Sequence, residues 1–124
     1  MSYDRAEKLN RILENLQASS SNIEACAIVS EDGLMIASLL PQGLEETQIA
    51  AMSAAMMSIG TRTAQELKRG SLQQLFVKGD NGYVISMNAG PSAVLLALAR
   101  KEAKLGLVFL DLSRAAEEIN KPLA

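Results

Sequence analysis

Residues Leu44 to Lys68 read LEETQIAAMSAAMMSIGTRTAQELK, and this run decides the fold class. It holds no Pro and only Gly60 as a weak point, and it is dense in Ala, Met, Gln and Glu, all good helix formers. Lys68, Arg69 and Gly70 close it with basic residues followed by a Gly, a combination that suits a helix end. Unbroken, such a helix is about 37 Å long. On a wheel of about 100° per residue, Ile49, Met52, Met56, Ile59, Gly60, Thr63 and Leu67 share one stripe, which is expected to cover the chain's own sheet. A second stripe holds Ala50, Ser53, Ala54, Met57, Thr61 and Ala64, and a third, with Thr47, Gln48, Ser58, Arg62, Gln65 and Glu66, suits water. Small side chains at three- and four-residue spacing let another helix approach closely, so the second stripe is expected to carry self-association. The alternative is that its alanines are simply good helix formers on a solvated face.

Outward from this helix the pattern alternates between helix and hairpin. Upstream, Ala6, Leu9, Ile12, Leu13 and Leu16 fall at helical spacing between Asp4 and Gln17, and Ser19 to Asn22 break the run. Ile23 to Ser30 and Leu34 to Leu40 read as strands joined by the turn Glu31-Asp32-Gly33, and Pro41, Gln42 and Gly43 end the second. Downstream, three strands are predicted over Leu72 to Lys78, Tyr83 to Ala89 and Ala93 to Ala99. Links as short as Gly79-Asp80-Asn81-Gly82 and Gly90-Pro91-Ser92 force antiparallel neighbours. The last segment is double-valued, because Leu107 to Leu110 suit a strand while Leu105, Val108, Leu112, Ala115, Ala116 and Ile119 keep helical spacing. A helix from about Leu105 to Asn120 is favoured. The strand from Leu72 through Gln73, Gln74, Leu75, Phe76 and Val77 to Lys78 opens a meander, so it is expected at a sheet edge. Its unpaired backbone groups invite a second strand, with only Lys78 to discourage one. Two chains pairing there bring their long helices together on one face.

Composition narrows the function. A length of 124 residues fits one domain over residues 1–124, and 48% hydrophobic with 21% charged residues excludes wholesale disorder. A net charge of −2, with bases scattered singly or in pairs, offers no track for a phosphate backbone, so no nucleic acid is expected. No run of about 18 apolar residues is present, and Ser2, Tyr3, Asp4 and Arg5 are polar where a signal peptide is apolar, so a cytoplasmic product is expected. The single Cys26 sits in an apolar strand pattern and reads as a buried structural thiol.

Chemistry-bearing patterns are missing. With no His, the usual general base is absent, which excludes Ser-His-Asp and Cys-His arrangements. One Cys and no His leave only carboxylates for a metal, without a calcium-loop pattern. Glu45-Glu46 and Glu117-Glu118 point in diverging directions on helices, and no phosphate-binding Gly loop precedes a helix. Hence no enzyme activity, cofactor or metal is expected.

Particular residues in this order resemble the roadblock/dynein light chain superfamily, over nearly the whole chain. Ala27-Ile28-Val29-Ser30-Glu31-Asp32-Gly33-Leu34-Met35-Ile36-Ala37 is similar to the family's first hairpin, and the Ala/Met-rich helix follows it. Gly82-Tyr83-Val84-Ile85 and Ala93 to Ala99 are similar to later strands of its meander, and Lys104-Leu105-Gly106-Leu107-Val108 to its entry into the last helix. The resemblance implies an α+β, profilin-like five-stranded antiparallel sheet with helices on both faces. It also implies homodimers joined through the third strands and long helices. Members resembling MglB act on Ras-like small GTPases as regulators or scaffolds without an arginine finger of their own, so Arg62 and Arg69 need not be catalytic. This chain stops at Ala124 with little beyond the last helix, and plain partner binding is the role expected of it rather than GTPase activation. Gln48, Ala51, Ala55, Ser58, Arg62 and Gln65, exposed on the paired helices, are the candidate GTPase surface. An alternative is a profilin- or PAS-like sensing domain with an apolar pocket lined by Met52, Met56 and Met87.

Overall fold

Eight elements form in the predicted order. The computed structural model describes residues 2–123, in which α1 (Ser2–Ser19), β1 (Ile23–Ser30), β2 (Met35–Leu39), α2 (Glu46–Glu66), β3 (Gln74–Gly79), β4 (Gly82–Asn88), β5 (Ala93–Ala99) and α3 (Leu105–Leu123) follow one another. The strands make one antiparallel sheet ordered β2-β1-β5-β4-β3, so β2 and β3 are the edges. Ile36 is an extra residue in β2, because Ile28 pairs with Ala37 while Val29 pairs with Met35.

Alternation sends the two faces of each strand to different layers. From β1, Cys26 and Ile28 enter the main core, with Leu9, Leu13 and Leu16 of α1 and Val108, Leu112 and Ile119 of α3. Ala27 and Val29 point to the other face, where Ala50 of α2 packs on them. Helices therefore cover both faces, as the resemblance implies, with the larger core on the α1/α3 side.

The last segment is helical. Its five buried positions, Val108, Leu112, Ala115, Ala116 and Ile119, keep the helical period along the whole element, while Leu107 and Leu110 of the strand-like run point outward. β3 begins at Gln74, so Leu72 and Gln73 lie before the strand rather than in it. The Leu72 carbonyl accepts a hydrogen bond from Asn88 Nδ2 at 3.1 Å, and its side chain tucks against Gly60. The helix end also differs in detail. Lys68, not Gly70, takes the left-handed position that terminates α2, with φ 61°. The Lys68 N–H donates to the Gln65 carbonyl and the Arg69 N–H to the Ala64 carbonyl.

Candidate interaction surface

The two apolar stripes of α2 exchange the places expected of them. Ala50 and Ser53 are buried, and Ala54, Met57, Thr61 and Ala64 are half-buried, so the stripe assigned to self-association lies on the chain's own sheet. Met52, Ile59 and Leu67, expected to cover that sheet, are 57%, 66% and 64% exposed, and Thr63 is exposed beside them. From the same stripe only Gly60 is buried, with Ile49 and Met56 half-buried at its margin.

Close approach explains the exchange. A Cβ placed on Gly33, in the β1–β2 turn, would stand 3.2 Å from the Ala54 Cβ, and one on Gly60 would stand 3.0 Å from Leu72 Cδ2. The helix thus sits low on a sheet surface of Ala27 and Val29, at a separation only small side chains fill. Larger side chains of Met52 and Ile59 are turned outward. Small residues at helical spacing do signal close approach here, but to a sheet.

β3 is a free edge with little cover on either side. Leu75 is half-buried beneath Gly60, while Val77 on the same face is exposed. Phe76, on the opposite face, meets Phe109 of α3 edge-on at 6.0 Å and Tyr83 of β4 at 6.4 Å, yet is itself exposed. Lys78 Nζ stands 5.9 Å from the centre of the Tyr83 ring. Gln74 is exposed in the strand and Gln73 just ahead of it. Exposed apolar side chains from α2 and β3 therefore border the same edge of the sheet.

Gln48, Ala51, Ala55, Ser58, Arg62 and Gln65 are all exposed on the outer side of α2. Arg62 pairs with Glu66 at 3.4 Å in an exposed one-turn ion pair, which contributes little to stability. Met52, Met56 and Met87 do not converge. Met87 lies in the core on the α1/α3 side, whereas Met52 and Met56 belong to the helix on the other face, so the pocket expected from these methionines does not form.

Among the described residues Cys26 is the titratable side chain most altered by its surroundings. It is buried, its Sγ donates to the Leu13 carbonyl at 3.7 Å, and burial pushes the thiol up to about 11, so it is neutral and inert near neutral pH. Among the described residues no three His, Cys, Asp or Glu side chains gather as a metal site, and no helix is long and apolar enough to cross a membrane.

Comparison with known proteins agrees with this architecture. The model of the Roadblock/LC7 domain matches residues 9–99. The uncharacterized protein MJ1340 of Methanocaldococcus jannaschii is 33% identical over 111 residues, which cover 90% of this chain and 96% of that protein. Myxococcus xanthus MglB superimposes with a TM-score of 0.87 at 21% identity, over 95% of this chain and 89% of its own. A Roadblock/LC7 domain from Streptomyces avermitilis superimposes with a TM-score of 0.86 at 18% identity, over 92% of this chain and 96% of its own. By the match to residues 9–99 and the fold that carries it, this chain belongs to the Roadblock/LC7 domain family.

Proposed function

We propose that this protein is a homodimeric, non-catalytic scaffold or regulator that binds a Ras-like small GTPase. One observation carries the dimer: outward Ile59 near the end of α2 and Leu67 just past it stand on the side of a free β3 edge, where Gly60 meets Leu72 and Leu75, and that edge bears exposed Phe76 and Val77. Pairing two β3 strands antiparallel satisfies their open backbone groups and brings the outward sides of two α2 helices together. The helix–helix contact then runs through Met52, Met56 and Ile59, not through the sheet-facing Ala50, Ser53, Ala54, Met57, Thr61 and Ala64. The β3 part of the expected interface is retained from Gln74 to Lys78, with Leu72 and Gln73 flanking it.

The GTPase part rests on the resemblance to MglB-like regulators. A polar outer face with Gln48, Ser58, Arg62 and Gln65 suits a reversible partner, which needs a surface that tolerates water when free. Sedimentation equilibrium of the wild type and of Ile59→Glu tests the dimer; a concentration-dependent dimer that the variant converts to monomer is expected, and a wild type that stays monomeric at high micromolar concentration overturns it. Calorimetric titration with Ras-like GTPases of the same organism, loaded with GDP or a GTP analogue, tests the second part. Binding that Ser58→Arg, on the side of α2 turned away from Met52, Met56 and Ile59, abolishes without dissociating the dimer is expected; the GTPase reading fails if none of those GTPases binds.

A further inference from the structure

The α2 face of the sheet is uncovered at one end, where a groove of about 410 Å³ opens between the β2–α2 connection and the β3–β4 turn. Its floor is one row of cross-strand neighbours: Ala25 pairs with Leu98, Leu98 with Val84, and Val84 with Val77. Leu44 walls it on one side, and no Lys or Arg lines it. Its charged lining residues are Glu24 and Asp80, both exposed and without a cationic partner among the described residues.

At the far end of α2 the chain presents the complementary group. Leu67 caps the helix, 64% exposed, and Lys68 and Arg69 follow it without a carboxylate partner among the described residues. The backbone bonds that close the helix hold this corner in a fixed turn. Seven residues separate Leu67 from Gly60, which meets Leu72 just ahead of β3 and Leu75 within it, so the helix end projects about 10 Å beyond that crossing. At about 4.8 Å between strands, this is the width of two strands.

We propose that Leu67 of one copy fills this groove in a second copy, with Lys68 and Arg69 set against Glu24 and Asp80 on its rim. The inference rests on the homodimer reading. Antiparallel pairing of two β3 strands places the start of one beside the end of the other, and the end of β3 is where Val77 and the β3–β4 turn border the groove. An α2 end reaching two strand widths past its own edge then lies over Val77 and Val84 of the other copy. Two such contacts form, related by the dimer axis, and each buries an apolar side chain that the free chain exposes.

The test uses the full chain. Leu67→Cys and Val84→Cys are made separately, mixed, allowed to exchange subunits, and treated with a short bis-maleimide; the buried Cys26 of the wild type is the unreactive control. A covalent dimer only in the mixture is expected, together with a dissociation constant raised about 10- to 100-fold by Leu67→Ala. Lys68→Glu weakens the dimer and Asp80→Lys restores it. A dimer that persists with no cross-link and a less than twofold effect of Leu67→Ala overturns this inference and leaves the homodimer standing. A wild type that is monomeric throughout overturns both.

Discussion

Exchanging the roles of the two α2 stripes gives opposite expectations for two substitutions about 13 Å apart along the helix, Ala50→Leu and Ile59→Ala. Ala50 is 1% exposed and packs on Ala27 and Val29, so a leucine there must displace helix or sheet, at about 1–3 kcal/mol. Ile59 is 66% exposed, and complete burial of such a side chain contributes about 1.5–3 kcal/mol, so the third that is covered contributes about 0.5–1 kcal/mol to the single chain. Urea unfolding followed by circular dichroism separates the two. With a slope of about 1–3 kcal/mol per molar urea, Ala50→Leu lowers the midpoint by roughly 1 M and Ile59→Ala by less than about half of that.

A protein-concentration series sharpens the comparison. Any stabilisation by association grows with concentration, so the loss caused by Ile59→Ala increases along the series, while that caused by Ala50→Leu stays constant. The reasoning is refuted if, at the lowest concentration, Ile59→Ala costs about 2–5 kcal/mol, as a fully buried isoleucine does, and Ala50→Leu costs nothing. That result means the large residues face the sheet.

Two further substitutions probe the scaffold. Gly82 opens β4 with φ 145°, and a Cβ there would stand 2.5 Å from the Ala99 carbonyl oxygen, so Gly82→Ala is expected to lose about 1–3 kcal/mol in the same urea assay. Cys26 should resist a chromogenic disulfide reagent at pH 8 in the native protein and react within minutes in denaturant. Because burial raises the folded thiol from 9.0 to about 11, its contribution is full below pH 9 and fades as pH rises towards 11, by up to about 2–3 kcal/mol. Cys26→Ala should remove that part of the alkaline slope.

The order of elements was legible because each one carries its own local signal. Glu31-Asp32-Gly33 and Gly79-Asp80-Asn81-Gly82 mark turns, and the long Ala/Met run has no competing period. The edge position of β3 followed from its place at the head of a meander. Which stripe of α2 meets the sheet was a different kind of question. Both stripes are apolar and adjoin, so the helical period is fixed while its phase is not. What sets the phase is the height at which the helix sits, and that depends on Ala27, Gly33 and Leu72, residues 17 or more positions from their α2 partners Ala54 and Ala50, or beyond the helix's end. Gly60 was the one local sign, since a glycine in mid-helix weakens it and is tolerated where something passes close, here Leu72. Once the small residues are drawn to the sheet, Met52, Ile59 and Leu67 are left more than half exposed within their own chain. The close internal packing of α2 and its outward apolar surface are thus two results of one cause, and a substitution that lifts the helix from the sheet should disturb association as well as stability.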